Sequence, residues 1–529
     1  MPTVVGQNVS RLSLSDPRVE GVRRTLLEGG HVSQEDGVAL FGAPVTELGR
    51  LADAIARDRH ADRVYFTVNR QLNPTNVCVL SCRFCDYAKK PGASDSYTMT
   101  REQIVAHVDP DITEIHIVGG LHNKWRFDDY LDVIRWVKEA KPDLGVKAYT
   151  AVEIDFFCRL TKKPAEWVLG ELKAVGLDAL PGGGAEVFSE RVRRELFHQK
   201  IGAQRWLEIH EIAHGMGIPS NSTLLYGHIE THAERVQHLI LLRDLEERAP
   251  GFFAFIPLAF QPGVTGIVRR QASAIEDLKT IAISRIVFDN VPHVKSYWVM
   301  LGQDTASIAL NFGASDMDGT IGVEKIAHAA LARSPVGLAE EGMVHTIREA
   351  GKTPFQRDAL YRVVREYGRG TGPGALAGVR YERAAAAIGS AATSAPAWSM
   401  AHGHSPGFLA LVNDAKSRVR EFTIEEYQRR LAAGESWVLV DIREDHEWEA
   451  CHIPGAIHIG RGILERDVEA QFDKGTPLLL QCGGGFRSAL SADTLQQMGY
   501  TNVVSLDGGI RGWRQRGLPV EVPKPEKAR

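Results

Sequence analysis

The chain has 529 residues, with 62 Lys and Arg against 66 Asp and Glu, and it contains only six cysteines. This charge balance offers no basic surface to a nucleic acid, and so few cysteines exclude a disulfide-held framework. No basic leader with an apolar core begins the chain, and no apolar run reaches the roughly 18 residues of a membrane helix. We therefore expect a cytoplasmic protein of at least two domains, with neither a membrane nor a nucleic acid as partner.

Residues 1–60 show helical patterns, and short β-branched runs that alternate with amphipathic helical patterns follow them. The predicted strands lie at 64–69, 112–120, 146–151, 177–183, 220–227, 252–258, 283–288 and 307–313. Strands that alternate with helices in this way predict a parallel (β/α) barrel, whose active site lies at the C-terminal ends of its strands. We expect residues 1–60 to form a helical cap on a barrel of residues 61–382.

The amino-acid composition changes after the predicted barrel. Residues 383–407 are rich in Ala, Ser, Gly and Pro, which predicts a linker. Residues 408–524 then repeat an α/β pattern on a smaller scale. The predicted fold class is α/β: a capped parallel barrel followed by a smaller α/β domain.

Three cysteines, Cys78, Cys82 and Cys85, share the segment NVCVLSCRFCDY at a C-x-x-x-C-x-x-C spacing. Three thiolates on a short loop can hold three irons of a 4Fe-4S cluster and leave the fourth iron open to an outside chelating group. The alternatives are an accidental group of buried thiols and a zinc site, which needs a fourth ligand such as His116 or His122. The position directly after the first predicted strand, at the catalytic rim, favours the cluster.

This motif, with Phe84 just before its last cysteine, resembles the radical S-adenosylmethionine (SAM) superfamily. The resemblance implies that the open iron binds the amino and carboxylate groups of SAM, and that electron transfer cleaves SAM to methionine and a 5′-deoxyadenosyl radical. It also implies that Phe84, Gly119 and Gly120 bind the cofactor, the two glycines as a turn near the methionine amino group. The superfamily often continues this turn with an acidic residue, whereas Leu121 and His122 follow here.

Longer sequence segments indicate one family within this superfamily. Six longer segments together resemble the aminofutalosine synthase family of menaquinone biosynthesis. They are HIVGGLH (116–122), VKAYTAVEIDFF (146–157), PGGGAEVFSERVR (181–193), GIPSNSTLLYGHIET (217–231), AFIPLAFQP (254–262) and GASDMDGT (313–320). The resemblance covers most of residues 20–370. It implies that the radical adds to the enol ether of 3-[(1-carboxyvinyl)oxy]benzoate, with rearrangement and loss of the carboxylate giving aminofutalosine, and that flavodoxin or ferredoxin donates the electron.

Dehypoxanthine futalosine cyclase and the deazaflavin-precursor synthases share the cluster motif, and they are the alternatives to the aminofutalosine synthase family. GASDMDGT and the triple glycine at 182–184 favour the aminofutalosine synthase family over both.

A substrate with two carboxylates needs cationic or hydrogen-bonding partners, and a radical intermediate needs a dry, closed site. The substrate candidates are the polar residues near predicted strand ends: His116, His122, Glu153, Asn221, Thr223, His228, Arg285, His293 and Lys295. For each of them, a satisfied core position or a solvated surface position is the alternative. We expect Cys158 to be a small buried hydrophobe.

In the second domain, Cys482 follows an apolar strand in QCGGGFRSA. The glycines after it let backbone N–H groups curl around the sulfur, and such a nest favours the nucleophilic thiolate. With Arg487 closing the loop and Asp441 in VLVDIRE, residues 408–522 resemble a single-domain rhodanese. The resemblance implies that Cys482 accepts a sulfane sulfur from a donor as a persulfide, with Arg487 and Asp441 in the catalytic site.

The loop from Cys482 to Arg487 reads C-x-x-x-x-R, which is the rhodanese length, whereas the related phosphatases have one more residue. Sulfur transfer is therefore favoured over phosphate hydrolysis. A domain kept only to dock a partner is a further alternative. Cys451 stands where the family usually has glycine, and it is either a resolving thiol or a neutral substitution.

Overall fold

The computed structural model describes residues 6–322, 324–332, 334–368 and 406–522. The chain divides into two units, Met1–Tyr381 and Glu382–Arg529. Residues 383–405 of the predicted linker lie outside the described residues. Among the residues that are described, none of the helices has the length and apolar character needed to cross a bilayer.

Four helices precede the first strand, as the sequence predicts: α1 (Gln7–Ser10), α2 (Pro17–Leu27), α3 (Gln34–Leu40) and α4 (Val45–His60). The side chain of Asp16 caps α2 by accepting a hydrogen bond from the backbone of Arg18, and Pro17 occupies the first helical position. Helix α4 buries Leu48, Leu51 and Ile55 along one face. That apolar face joins the main core of the unit.

The strands of the first unit are β1 (Arg63–Thr67), β2 (Asn69–Leu72), β3 (Glu114–Ile117), β4 (Gly145–Ala148), β5 (Ser220–Tyr226), β6 (Phe252–Ala259), β7 (His293–Val294), β8 (Asp316–Gly319), β9 (Thr353–Arg357) and β10 (Val363–Glu366). The remaining helices are α5 (Arg101–Val105), α6 (Phe127–Ala140), α7 (Ala151–Thr161), α8 (Ala165–Ala174), α9 (Glu190–Leu196), α10 (Ala203–Gly215), α11 (His232–Arg248), α12 (Ala274–Val287), α13 (Trp298–Leu301), α14 (Gln303–Ala309), α15 (Ile326–Ala329) and α16 (Glu340–Glu349).

The strands form a ring of parallel neighbours. Strands β2, β3 and β4 pair in that order, as do β5, β6 and β7, while β1 lies between β8 and β9. Single parallel bridges join these sheets, and they pair Lys147 with Ala179, Leu180 with Ser220, and Lys295 with Asp316. The backbone N–H of Gln71 in β2 donates to the carbonyl of Ile321 just after β8 at 3.0 Å, which closes the ring. This is the parallel barrel that the alternating pattern predicts.

Two of the predicted strands are wrong. Residues 283–288 lie in or directly after α12, and residues 307–313 begin in α14. Helix α12 is buried on nearly every side from Asp277 to Val287, so its apolar run lacks the one-sided period of a surface helix. The last two strands of the ring are instead the short β7 and β8. The predicted strand at 177–183 is reduced to the bridges of Ala179 and Leu180.

The barrel strands also carry a buried ionic network. Lys147 Nζ lies 2.8 Å from Glu114 Oε2, while Arg357 lies 2.6 Å from Asp316 Oδ2 and 3.4 Å from Glu114 Oε2. All four side chains are at most 1% exposed. Buried charges are tolerated when they are paired in this way. The four ions therefore depend on one another.

The second unit is a five-stranded parallel sheet in the order β11, β15, β14, β12, β13. Its strands are β11 (Arg420–Phe422), β12 (Val438–Asp441), β13 (Ile457–His458), β14 (Leu478–Gln481) and β15 (Val503–Leu506). Its helices are α17 (Pro406–Lys416), α18 (Ile424–Ala432), α19 (Asp445–Ala450), α20 (Leu464–Asp467), α21 (Phe486–Gln497) and α22 (Gly509–Gln515), with a 3-10 turn at Val468–Ala470.

Both faces of this second sheet are covered. Leu478 and Leu480 of β14 belong to one apolar cluster, whereas Leu479 between them belongs to another. Successive side chains of a strand point to opposite faces, so the two clusters lie on opposite sides of the sheet. A parallel sheet buried on both faces is typical of an α/β domain.

Candidate functional sites

A cavity of about 340 Å³ lies in the barrel unit. Its walls come from the segments that follow β2, β3 and β4 and from the interior faces of β5 and β6. These are the C-terminal ends of parallel strands, where barrel enzymes build their active sites.

The three clustered cysteines line this cavity. The backbone N–H of Cys78 donates to Lys89 O at 2.9 Å, and that of Cys85 donates to Cys82 O at 3.2 Å, so the loop doubles back on itself. Burial raises the pKa of Cys82 to about 11, and it raises the pKa of Cys85 as well. Thiols of this kind become thiolates when a metal takes the place of their protons.

The positions of the side chains in space give no support to the zinc alternative. Across the described ranges, no three His, Cys, Asp or Glu side chains are grouped as a single metal ion requires. Zinc draws every sulfur ligand to about 2.3 Å from one ion. A cubane cluster instead distributes three thiolates over three separate irons, and so its ligands stand farther apart.

The predicted glycine turn packs directly against the cysteine loop. The backbone N–H of Gly120 donates to Thr75 O at 2.9 Å. A Cβ atom on Gly120 would lie 2.1 Å from Val77 O, and one on Gly119 would lie 3.0 Å from Thr75 O. Only glycine allows so close an approach at residue 120. Both glycines line the cavity beside the thiols, which is where the superfamily resemblance puts the methionine end of SAM.

Phe84 also lines the cavity, and its ring contacts a cation that the sequence did not reveal. Lys200 Nζ lies 5.0 Å from the centre of that ring and pairs with Glu186. Burial lowers the pKa of Lys200, but the charges of Glu186 and Cys82 outweigh burial and raise it overall. Nothing in the string FHQKIG distinguishes this lysine from a solvated one.

Carboxyl groups outnumber cations in the cavity wall. The acidic side chains in the wall are Asp86, Glu153, Glu186, Asp318 and Glu324, while Lys200 is the one Lys or Arg among the described residues that line the cavity. An acidic wall suits a ligand with a sulfonium and an ammonium group, because opposite charges attract strongly where water is excluded. The wall therefore fits SAM in charge, and the thiol loop fits the cluster that SAM would bind.

Glu153 links the glycine turn to helix α7. Its carboxylate accepts a hydrogen bond from Thr150 N at 2.7 Å. Burial raises the pKa of Glu153 to about 7, and hydrogen bonds from the backbone of Thr150 and of Gly119 oppose that rise. Glu153 was expected to bind substrate. In the structure it lies against the turn predicted to bind the cofactor.

Asn221 and Thr223, both in β5, line the cavity. Thr223 Oγ1 donates to Gly182 O at 2.8 Å. Asn221 is 1% exposed, and neither atom of its amide group has a hydrogen-bond partner within the described part of the chain. An unsatisfied buried polar group costs about 1–3 kcal/mol. The amide of Asn221 is therefore free to bind a ligand in the cavity.

His116, the fourth substrate candidate in the cavity wall, belongs to β3. Burial, together with the nearby charge of Lys147, lowers its pKa to about 4. The imidazole is therefore neutral at pH 7, so that it can both donate and accept a hydrogen bond.

The five other substrate candidates are absent from the cavity wall. Arg285 donates to Gly313 O at 3.1 Å and to Val291 O at 2.9 Å, which ties α12 to the loops around it. Lys295 pairs with Asp318 Oδ1 at 3.2 Å, so that it reaches the cavity only through that carboxylate.

Three histidines complete this group. His122 stacks on Trp125 with a ring separation of 5.2 Å. His228 pairs with the fully buried Glu230 at 2.9 Å. His293 stacks between the rings of His60 and Tyr361 at 4.4 and 4.5 Å. Each has partners of its own inside the fold.

In the second unit, Cys482 follows β14 and is 1% exposed. Its sulfur accepts a hydrogen bond from Gly485 N at 3.2 Å and lies 3.6 Å from Ser488 Oγ. Gly485 has a φ of +92° and caps α21, which begins at Phe486. The loop thus aims a backbone N–H at the sulfur, which stabilises a thiolate.

Arg487 donates from Nη1 and Nη2 to the two carboxylate oxygens of Glu447, at 2.7 Å each. Asp441 is fully buried and pairs with Arg443 at 2.6 Å. Arg443 in turn donates to Cys451 O at 2.6 Å. Arg487 therefore lies in the sulfur loop as expected, whereas the carboxylate of Asp441 is paired with Arg443.

Cys451 and Cys482 belong to different apolar clusters, which contain Leu479 and Leu480 respectively. Since these clusters cover opposite faces of the sheet, the structure offers no support for a disulfide between the two thiols.

Three family models match the chain: the radical SAM superfamily over residues 72–242, the CofH/MqnC C-terminal region over residues 249–368, and the rhodanese-like domain over residues 423–516.

Among relatives, the chain is 41% identical to aminodeoxyfutalosine synthase of Thermus thermophilus over 366 residues, 67% of this chain and 98% of that protein. It is also 41% identical to the aminodeoxyfutalosine synthase of Streptomyces coelicolor, over 66% of this chain and 95% of that protein. A 5-amino-6-(D-ribitylamino)uracil--L-tyrosine 4-hydroxyphenyl transferase of Methanopyrus kandleri is 38% identical, over 58% of this chain and 86% of that protein.

Among solved structures, HydG, a maturase of the [FeFe]-hydrogenase, matches with a TM-score of 0.52 at 16% identity, over 66% of this chain and 77% of that one. Methylornithine synthase (PylB) matches with a TM-score of 0.51 at 16% identity, over 63% of this chain and 97% of that one. These two structures share the barrel fold. From the family models and the relatives together, the chain belongs to the aminodeoxyfutalosine synthase family of radical SAM enzymes, and it carries a C-terminal rhodanese-like domain.

Proposed function

We propose that the barrel catalyses the aminodeoxyfutalosine synthase reaction on 3-[(1-carboxyvinyl)oxy]benzoate, and that Cys78, Cys82 and Cys85 hold the cluster. One observation carries the proposal: the three thiols, the glycine turn and the Asn221 amide, which has no partner in the described part of the chain, line a single cavity. When bound, the cluster and SAM supply the 5′-deoxyadenosyl radical, which the family adds to the enol ether. Flavodoxin or ferredoxin is the proposed electron donor.

The residues of this chain orient the two ligands. Gly119 and Gly120 let their turn pack against the cysteine loop, where it would meet the methionine end of SAM, and Glu153 contacts that turn through the backbone of Gly119. Asn221 and His116 provide donors for the substrate from β5 and β3. The apolar side chains of Leu225, Ile256, Leu258 and Phe260 line the same cavity and exclude water from it.

A substrate comparison tests the proposal. The full chain, with its cluster reconstituted under anaerobic conditions, receives SAM, a reductant and either 3-[(1-carboxyvinyl)oxy]benzoate or dehypoxanthine futalosine. We expect turnover of the benzoate alone. Turnover of dehypoxanthine futalosine instead would favour the cyclase alternative.

Replacing Asn221 with leucine should raise the KM for the benzoate about tenfold or more, because a hydrogen bond to a charged group is worth about 1.5–3 kcal/mol. It should leave the free energy of unfolding unchanged or increased, because the amide has no partner within the described chain. Steady-state kinetics and urea unfolding measure the two effects.

The matched control is Ser222→Ala. Ser222 is the next residue in β5, and its buried hydroxyl is also unpartnered within the described chain, but it does not line the cavity. This variant should keep the wild-type KM. An unchanged KM in Asn221→Leu would remove Asn221 from the substrate site.

We further propose that the second domain is a sulfurtransferase, with Cys482 as its nucleophile. The observation in favour is the sulfur of Cys482, which faces the N–H of Gly485 at 3.2 Å in a loop that ends in Arg487. A sulfur donor is the implied partner.

Replacing Cys482 with alanine should abolish thiocyanate formation from thiosulfate and cyanide, since no other thiol lies in the loop. Cys451→Ala should retain that activity, because Cys451 belongs to the opposite apolar cluster. Wild-type activity in Cys482→Ala would rule out Cys482 as the nucleophile, whereas a wild type without this activity would favour a docking role for the domain.

A further inference from the structure

Arg487, which ends the sulfur loop, is already paired with a carboxylate of the same domain. Glu447 in α19 binds Arg487 through both carboxylate oxygens, and the two side chains are 27% and 29% exposed. This hydrogen-bonded pairing lowers the pKa of Glu447 and raises that of Arg487. Both groups are therefore charged at neutral pH, and the positive charge of Arg487 is compensated.

The ion pair lies over the loop. A Cβ atom placed on Gly483, the residue after Cys482, would lie 3.2 Å from Arg487 Nη2 and 4.0 Å from Glu447 Oε1. The carboxylate is held there from a second side, because Glu447 Oε2 accepts a hydrogen bond from Glu444 N at 3.2 Å at the start of α19. The carboxylate of Glu447 therefore lies beside the loop that holds the sulfur of Cys482.

Two other charged groups lie close to the loop. Arg511 Nη1 would lie 3.7 Å from a Cβ on Gly484, and Asp507 Oδ1 would lie 3.3 Å from one on Gly485. Lys416 pairs with Asp507 at 3.4 Å. Arg487 and Lys416 are thus both compensated, Lys416 also by Glu421 at 3.0 Å. Arg511 is a cation beside the loop that has no carboxylate partner in the described chain.

We propose that Glu447 sets the donor specificity of the sulfurtransferase site: it selects a monoanionic or neutral organic persulfide and disfavours the dianion thiosulfate. This inference rests on the proposed sulfur transfer. Thiosulfate releases sulfite, a second dianion, beside the carboxylate of Glu447. A persulfide releases a thiolate with a single charge, which one guanidinium balances. Placing like charges side by side costs free energy, and it costs a dianion more than a monoanion.

The chemistry balances for both donors. The thiolate of Cys482 attacks the outer sulfur of the donor, and the donor S–S bond breaks. The leaving group is sulfite from thiosulfate, or RS⁻ from RSSH, whose proton stays on the new persulfide. Cyanide then attacks the outer sulfur of the Cys482 persulfide, so that thiocyanate forms and the Cys482 thiolate is restored, and a proton carried by the persulfide is released to water.

The test compares thiosulfate with 2-hydroxyethyl persulfide as donor to the full chain, with thiocyanate as the measured product. Glu447→Gln removes the charge but keeps an oxygen for Glu444 N, since glutamine serves the same capping position. We expect the KM for thiosulfate to fall about fivefold, the KM for the persulfide to change less than about twofold, and kcat to stay constant. The gain for thiosulfate should shrink with added salt, because the pair is partly exposed.

Glu449→Gln is the matched control, since it removes the same charge from an exposed position of α19. It should leave both KM values unchanged. If Glu447→Gln gives the same thiosulfate KM as Glu449→Gln, the specificity role of Glu447 is wrong while sulfur transfer stands. If the wild type forms no thiocyanate from either donor, the sulfurtransferase proposal is wrong, and this inference is lost with it.

Discussion

Cys85→Ser is expected to abolish cluster binding and SAM cleavage together. Cys85 is the last thiol of the loop, and it lines the cavity with Cys78 and Cys82. A serine hydroxyl stays protonated where a thiol gives a thiolate, so one corner of the cluster would lose its ligand. We expect the iron content after anaerobic reconstitution to fall severalfold, and methionine release from SAM to fall below detection.

The matched control for this prediction is Cys158→Ser. Cys158 is a buried thiol of α7 that does not line the cavity. Its sulfur lies 3.9 Å from Arg205 Nη2. It should keep the iron content and the activity of the wild type. Wild-type iron content in Cys85→Ser, or its loss in Cys158→Ser, would contradict the assignment of the loop as the cluster site.

Arg357→Met is expected to lower the free energy of unfolding by about 3–5 kcal/mol, the usual cost of breaking a buried ion pair from one side. Arg357 pairs with Asp316 and Glu114, and all three side chains are at most 1% exposed. Methionine fills part of the space but leaves Asp316 with a buried, uncompensated charge. Urea unfolding of the full chain at pH 7.5 measures the loss.

The pH dependence has a definite sign. Burial raises the pKa of Glu114, but Lys147 and Arg357 outweigh burial and hold it below its usual value of 4.5. In the wild type this carboxylate therefore stabilises the fold above pH 4.5, and the contribution is lost as the pH falls through the depressed pKa. In Arg357→Met the pKa of Glu114 rises because one of the charges that hold it down is gone, so the deficit against the wild type should shrink between pH 7.5 and pH 5.

Arg362→Met is the control, because Arg362 forms a surface pair with Asp358 and is 74% exposed. Such pairs contribute about 0–1 kcal/mol, so little stability should be lost at either pH. Equal losses in the two variants would mean that the buried network adds no more than a surface pair.

The barrel could be predicted because its signals are local. The alternation of strand and helix patterns predicts the ring of parallel strands. The cysteine motif is contained in eight residues, Cys78 to Cys85. That these thiols line the cavity is a structural result, whereas their role as iron ligands stays a prediction. The error at 283–288 came from α12, whose β-branched residues resemble a strand because burial on nearly every side hides the helical period. At 307–313 a short apolar run crosses the end of α14, and periodicity over so few residues does not separate a helix from a strand.

The substrate candidates show where sequence reasoning ends. Asn221 and Thr223 were found because they are polar residues near the end of a predicted barrel strand, where such enzymes build their active sites. His228 and His293 were chosen on the same ground, yet their partners lie at Glu230, His60 and Tyr361. Such pairings depend on three-dimensional contacts between distant segments. For the same reason Lys200, whose position beside Phe84 only the fold creates, could not be found.

The central claim is that the barrel transfers the deoxyadenosyl group to an aryl enol ether rather than using it only to abstract hydrogen. The most direct test supplies the full, reconstituted chain with SAM labelled with ¹³C at the 5′ carbon, a reductant and 3-[(1-carboxyvinyl)oxy]benzoate, and follows the label by mass spectrometry. The account predicts that the label appears covalently in aminofutalosine and disappears from it in Cys85→Ser. Recovery of all the label in 5′-deoxyadenosine, with the benzoate unchanged, would contradict it.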